Sequence, residues 1–400
     1  MSIVGIVSEY NPLHTGHAHQ IQTLKEQGHV VVALMSGNYV QRGTPAVYDK
    51  FVRTRMALAA GVSMVIELPT LYSTASAENF AYGAMVLAQK SGIIDAISFG
   101  MEDPSYLPFL QRFAILTEPE TALFRKALRR YLDIGLSYPF ARESAFFELI
   151  GELPPSEPNH ILALEYLRAA RRIGYSPAWL PLQREGADYR DEKIDPLTVS
   201  YPSATALRKL LSQGEDIRAF IPEAARAYLP SGYVSEEALL PYIRYVLASL
   251  SKEEIAQIDE VAEGLENRLL KYVVEADSYE NLVSLLNSSR YPSSRMRRIL
   301  LNAVLSITRT KKEALRFTEG PLYLRVLGVR KEDTALLSLL TKTSDLPTLI
   351  RPVRDRLTLP DTARAAFEEE LRFSRIYHTL CPSAESEELK ESFILYPEEE

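Results

Sequence analysis

The sequence predicts an α/β protein: a doubly wound parallel sheet in the first half, followed by a mostly α-helical second half. Three observations carry this. From Ile3 to about Leu182, short apolar runs with polar or Gly/Pro exits alternate with helical stretches. After Ile221-Pro222 and Leu229-Pro230-Ser231-Gly232 that alternation stops and amphipathic helical periodicity takes over. Hydrophobic residues at 46% and charged residues at 24% over 400 positions suit a globular chain of two or three domains.

Taken in order, Ile3, Val4, Ile6 and Val7 read as a first strand, Asn11-Pro12 as a turn, and Ile21 and Leu24 as the buried face of a helix. A second strand, Val30 to Met35, ends in Ser36-Gly37-Asn38, and a helix from Lys50 to Ala60 follows; some of Lys50, Arg53 and Arg55 are expected to face water. Met64 to Leu68 ends at Pro69, and Glu78 to Lys90 is helical. Ala96 to Phe99 ends at Gly100, and Asn159 is the expected N-cap of a helix through Ile161, Leu164 and Leu167. Trp179 to Leu182 exits near Arg184, and Ser203 caps a helix carrying Leu207, Leu210 and Leu211. The pattern is Rossmann-like, and such sheets bind ligands beyond the carboxyl ends of their strands. The boundary falls near Pro230, giving domains 1–229 and 230–400. Beyond it Pro241 to Leu250, Lys252 to Tyr272, Ser278 to Leu286, Arg295 to Thr308 and Asp361 to Tyr377 are expected helices, with Leu322 to Leu327 a short strand.

The strand ends carry the chemistry. After the first strand, His14 and His17 stand three residues apart at the mouth of a helix, with Gly16 allowing close backbone approach. Free amides at a helix start and the positive end of its dipole favour an anion, and imidazoles there can donate to phosphate oxygens. His19 and His29 read as ordinary residues. A second anion clamp is formed by Ser203, Thr205 and Arg208 at another helix start. Asn159 could also contact a ribose. Arg184 could pair with phosphate or with Glu185 or Asp188. The loop holding Ser36, Gly37, Asn38, Gln41 and Arg42 could cover phosphates or hold a small acid.

Bulk charge narrows the partners. A formal net charge of -7 argues against indiscriminate nucleic-acid coating. Between Arg290 and Arg316, however, eight basic residues face Glu313 alone, while the tail from Glu385 is dense in glutamate. The single Cys381 excludes an intramolecular disulfide and reads as structural. With no apolar run of ~18 residues and no signal-type opening segment, a cytoplasmic protein is expected.

The run from Ser8-Glu9-Tyr10-Asn11-Pro12 to His14-Thr15-Gly16-His17 resembles the Gly-x-Phe-Asn-Pro-x-His-x-Gly-His pattern of the nucleotidyltransferase superfamily, with Tyr10 in place of phenylalanine. Ser203-Ala204-Thr205-Ala206-Leu207-Arg208 resembles its Ser-Ser-Thr-x-Ile-Arg clamp, with Ala204 and Leu207 as departures. Met35 to Gly43, Val65 to Pro69, Ser76 to Ala81, Phe99-Gly100 and Arg290 to Arg295 extend the likeness over nearly the whole chain, to the bacterial tRNA(Met) cytidine acetate ligase family.

That resemblance implies a sheet of nucleotidyltransferase type and an enzyme joining free acetate, through acetyl-adenylate, to N4 of the wobble cytidine of elongator tRNA(Met). It implies ATP as substrate and Mg²⁺ carried mainly on the ATP phosphates. His14, His17 and Arg208 would be catalytic. Val7, Ser8, Glu9, Tyr10, Asn11, Gly16, His17, Gly100, Asn159, Arg184, Ser203 and Thr205 would bind ATP, and the Ser36 to Arg42 loop would hold acetate. Arg290, Arg295, Arg297 and Arg298 would take the tRNA. Two other readings are a small-molecule adenylyltransferase of cofactor biosynthesis, which leaves the helical half without a role, and a non-catalytic RNA-binding protein.

Overall fold

The computed structural model describes residues 2–136, 138–184, 202–262, 264–288, 291–380 and 393–397. Ten strands are described: β1 (Ile3–Ser8), β2 (Val30–Ser36), β3 (Tyr39–Val40), β4 (Thr44–Pro45), β5 (Met64–Leu68), β6 (Ala96–Met101), β7 (Ala178–Gln183), β8 (Leu324–Arg330), β9 (Thr348–Leu349) and β10 (Ile394–Tyr396). The main sheet runs β10-β8-β5-β2-β1-β6-β7, with β9 beside β8, while β3 and β4 form a separate hairpin. β1 pairs in parallel with β2, from Ile3 opposite Val30 to Ser8 opposite Met35, and on its other side with β6. The chain winds outward through β2 and β5, then returns to β6 and β7. The switch point therefore lies at the carboxyl ends of β1 and β6, where ligands are expected.

Central strands of such a sheet are covered on both faces and so are apolar throughout. β5 is buried along its whole length, and β2 from Val31 onward. Helices Thr15–Glu26, Lys50–Ala59, Ala77–Ser91 and Pro158–Ile173 lie in the connections.

The change expected near Pro230 is a change of local structure. Helices Leu239–Ser249, Lys252–Gln257, Leu265–Glu275, Tyr279–Leu286, Ser293–Val304 and Arg309–Ala314 follow it. The chain then comes back to the sheet. β8, six of whose seven residues are buried, pairs antiparallel to β5, and β10 pairs with β8. The short strand expected at Leu322 to Leu327 is thus a full member of the main sheet, and sheet residues come from both sides of position 230. One expected helix is divided and another ends early. Lys252 to Tyr272 breaks around Glu260 and Gly264, both at positive φ, and Arg295 to Thr308 ends at Val304, ahead of Ser306 at positive φ.

The last long helix, Asp361–Leu380, packs on the first part of the chain through buried polar groups. Tyr39 donates its hydroxyl to the Phe373 carbonyl at 3.1 Å, Tyr377 donates to the Ala46 carbonyl at 2.8 Å, and Thr70 donates through its amide to Glu370 at 2.8 Å.

Candidate functional site

The site begins where β1 ends. His14 is the N-cap of the Thr15–Glu26 helix, and its side chain accepts from the Gly16 amide, while the His17 side chain accepts from the His14 amide. The distances are 3.1 Å and 3.3 Å, and in each case the acceptor is Nδ1. This reciprocal cap satisfies two amides that a helix start otherwise leaves open. It also fixes tautomers. An Nδ1 that accepts cannot carry the proton of a neutral imidazole, so Nε2 carries it on both rings. The ring centroids lie 3.8 Å apart.

Both rings are held neutral. Burial, the neighbouring His17, Arg184 and Arg208 push His14 well below the usual histidine range. Burial and then Arg184 push His17 down to about 3. The pair therefore presents two Nε2–H donors without adding a charge of its own.

The charge comes from arginines. Arg208 donates Nη1 to the Asn11 carbonyl at 2.8 Å and Nη2 to Thr205 Oγ1 at 3.1 Å, so its head is positioned before any ligand arrives. Ser203 caps the Ala204–Ser212 helix by accepting from the Ala206 amide. Arg184 leaves β7 and lies across Gly100 of β6. A Cβ built on Gly100 would stand 3.0 Å from Arg184 Cγ and 3.3 Å from its Cδ, tighter than ordinary contact, which gives the glycine its reason.

These elements enclose a cavity of about 630 Å³. Its wall includes His14, His17, Val7, Ser8, Glu9, Tyr10, Asn11, Gly16, Gly100, Asn159, Arg184, Ser203, Thr205 and Arg208, together with Gln41 and Arg42. Phe80, Phe99, Leu162 and Tyr166 also line it and make part of the wall apolar; Phe80 and Phe99 stand in the motif runs that carry the resemblance, Leu162 and Tyr166 in none. Arg42 and Arg208 are pushed down by burial, and Glu9 and Glu236 oppose that shift on both. Tyr10 sits at φ 46, a left-handed backbone uncommon for an aromatic residue and of the kind concentrated at functional sites.

Several expected roles change. Ser36, Gly37 and Asn38 do not line the cavity. The Ser36 and Gly37 carbonyls accept from the buried Arg53 guanidinium, which also donates to the Glu9 carbonyl at 2.6 Å. Asn38 accepts from the Lys50 amide at 2.8 Å and donates to Ser374 at 3.1 Å. These three residues hold the loop in place; only Gln41 and Arg42 of that group reach the cavity. Lys50 and Arg53, which could have faced water, are fully buried. Lys50 pairs with Glu67 at 2.7 Å, and Glu67 with Arg325 at 3.2 Å. Asn159 lies inside the Pro158–Ile173 helix, whose N-cap is Glu157, and donates to Glu102.

The basic island is more balanced than its sequence. Arg298 makes a two-pronged contact with Glu260, both arms at 2.8 Å; Arg295 meets the same carboxylate at 3.6 Å; and Arg297 bridges Glu236 and Glu280. Its acidic partners, Glu236, Glu260 and Glu280, come from other segments of the chain, which local charge counting does not see. Arg290 and Cys381 lie outside the described residues, as does most of the acidic tail. The island borders the cavity: Arg297 is close enough to Arg42 and Arg208 to disfavour their charge. A Cβ on Gly43 would fall 2.4 Å from the Arg298 amide nitrogen, so the β3–β4 hairpin touches the helix carrying these arginines.

Comparison with known proteins agrees with this architecture. The HIGH Nucleotidyl Transferase family model matches residues 1–392. The tRNA(Met) cytidine acetate ligase of Thermoanaerobacter sp. strain X514 is 37% identical, covering 94% of this chain and 95% of its own. That of Clostridium perfringens strain ATCC 13124 is 32% identical, covering 96% of each. Thermotoga maritima TmcAL without ligand superposes with a TM-score of 0.88 at 28% identity, over 99% of this chain and all of that one. The same protein bound with alpha-thio ATP gives 0.86. The chain therefore belongs to the HIGH nucleotidyltransferase family and, within it, to the tRNA(Met) cytidine acetate ligases.

Proposed function

We propose that the cavity binds ATP and acetate, forms acetyl-adenylate with release of pyrophosphate, and transfers the acetyl group to N4 of the wobble cytidine of elongator tRNA(Met). One observation carries this: two neutral imidazoles with their Nε2–H donors left for a ligand, set beside Arg184 and Arg208 at the switch point of the sheet. An acetate oxygen attacks the α-phosphorus, and negative charge grows on the departing pyrophosphate. Donors already placed for that charge act without reorganisation. His14, His17, Ser203, Thr205 and Arg208 supply them at the triphosphate end. Gln41 and Arg42 serve the small acid. Mg²⁺ would arrive on the phosphates, since among the described residues the cavity wall holds a single carboxylate, too few for a protein-built cage.

The tRNA is taken by the surface around Arg295, Arg297 and Arg298, which supports the reading by bordering the cavity. No helix among the described residues is long and apolar enough to cross a membrane. Localisation in the cytoplasm fits a tRNA substrate. The test is incubation with ATP, Mg²⁺, labelled acetate and total tRNA, followed by nucleoside analysis. N4-acetylcytidine carrying the label is the expected product. Pyrophosphate release supported by nicotinamide mononucleotide or phosphopantetheine, and not by acetate, would instead indicate a cofactor adenylyltransferase.

A further inference from the structure

The second half-reaction needs a proton acceptor, and among the described residues the cavity offers few. Attack by the cytidine amine on the acyl carbonyl leaves N4 with a proton to lose before the amide is neutral. The lone pairs of His14 and His17 on Nδ1 are already engaged by backbone amides, and their Nε2 atoms carry protons, so neither ring can take another without breaking the cap. Tyr10 and Tyr166 are held protonated by burial. His19 is an exposed residue at the rim. One carboxylate remains among the described lining residues, Glu9.

Glu9 is unusual in a cavity otherwise built for anions. Its Oε1 accepts from the Gln41 amide at 2.8 Å, which anchors the side chain to the β3–β4 hairpin. Arg42, Arg53, Arg208 and Tyr166 all feel its charge. It shares the cavity wall with Arg42 and Arg208 of the arginine clamp and with the aromatic Phe80, Phe99 and Tyr166. A carboxylate there would repel a phosphate but can accept from an amine.

We infer that Glu9 is the catalytic base of acetyl transfer, taking the proton from cytidine N4. The new N4–C bond forms as the C–O bond of the mixed anhydride breaks. AMP leaves with that bonding pair, and the proton passes to the free Glu9 oxygen and then to water. This rests on the acetyl-adenylate reading above.

The experiment supplies preformed acetyl-adenylate and a tRNA(Met) transcript, bypassing the first step, and follows N4-acetylcytidine against pH for wild type, Glu9→Gln, Glu9→Asp and His19→Ala. Glu9→Gln keeps an oxygen to accept from Gln41, and its melting temperature checks the fold. Wild-type transfer is expected to rise with pH to a plateau. Glu9→Gln is expected to be about 100-fold slower or more and to lose the rise; Glu9→Asp should keep the rise at a lower rate, and His19→Ala should stay within about threefold of wild type. Transfer by Glu9→Gln within threefold of wild type, a retained pH rise, recovery with added Mg²⁺, or a loss confined to His19→Ala would each overturn the assignment. Absence of product from the wild type itself would overturn the parent reading and the base with it.

Discussion

His14 and His17 present Nε2–H donors because the helix cap takes their other nitrogen, and their depressed basicity follows from burial and the neighbouring guanidiniums. The sign is clear. A histidine whose folded value lies below its unfolded 6.5 favours the fold above that pH, and the benefit is lost as pH falls toward about 3. His17 should therefore remain neutral at pH 5 when its ring carbons are followed by NMR in the free protein; a titration near 6.5 would contradict the site's electrostatics. Replacing either ring by alanine removes a preorganised donor, so His17→Ala should lower acetate-dependent ATP–pyrophosphate exchange by about 100-fold to 1,000-fold. Gly100→Ala pushes a methyl against the Arg184 stem and should raise the KM for ATP with little change in melting temperature. The histidine pair was legible in the sequence because its spacing relative to a strand end and a helix start is local information. The fastening of Ser36, Gly37 and Asn38 away from the cavity was not legible for the opposite reason: their partners, Arg53, Lys50 and Ser374, lie outside the local window, and which cations of the following helix turn inward is not set by its sequence alone.

At the scale of elements, the helix Asp361–Leu380 is fastened to the first part of the chain by buried polar groups. Glu370, beside Glu67 and Lys50, accepts from the Thr70 amide and hydroxyl at the joint. Burial, then the Glu67 charge, pushes the Glu370 carboxyl up to about 7 from 4.5. It holds its proton in the fold where the unfolded chain has lost it. Its contribution is full below about pH 4.5 and declines as pH rises to about 7. Glu370→Gln has no such proton to lose, so the fall in melting temperature between about pH 5 and pH 8 should be smaller than in wild type. Lys50→Met leaves Glu67 facing its neighbours without that cation and should destabilise the protein by about 3–5 kcal/mol in denaturant unfolding. Periodicity located these helices and strands, but pairing order is nonlocal. Nothing local in Leu324 to Arg330 says that this strand joins β5 across more than 250 residues.

Over the whole molecule, the helical half and the nucleotide cavity meet at Arg42, Arg208, Glu236 and Arg297. The charge run was visible in the sequence, but its neutralisation by Glu236, Glu260 and Glu280 arises only on folding. Arg295 is the most exposed of the three described arginines and the least tightly paired. Arg295→Ala should weaken tRNA binding and lower the slope of log affinity against log salt by about one, without changing acetate-dependent exchange; an unchanged slope would remove this residue from the RNA surface. Activation of acetate by this route requires its carboxylate to displace pyrophosphate inside the imidazole and arginine cradle. The most direct test uses acetate labelled with ¹⁸O in both oxygens and mass analysis of the nucleotide products during tRNA acetylation. The attacking oxygen stays with phosphorus when the acetyl group leaves, so one ¹⁸O per turnover should appear in AMP. Unlabelled AMP, or label appearing in inorganic phosphate alongside ADP, would contradict it.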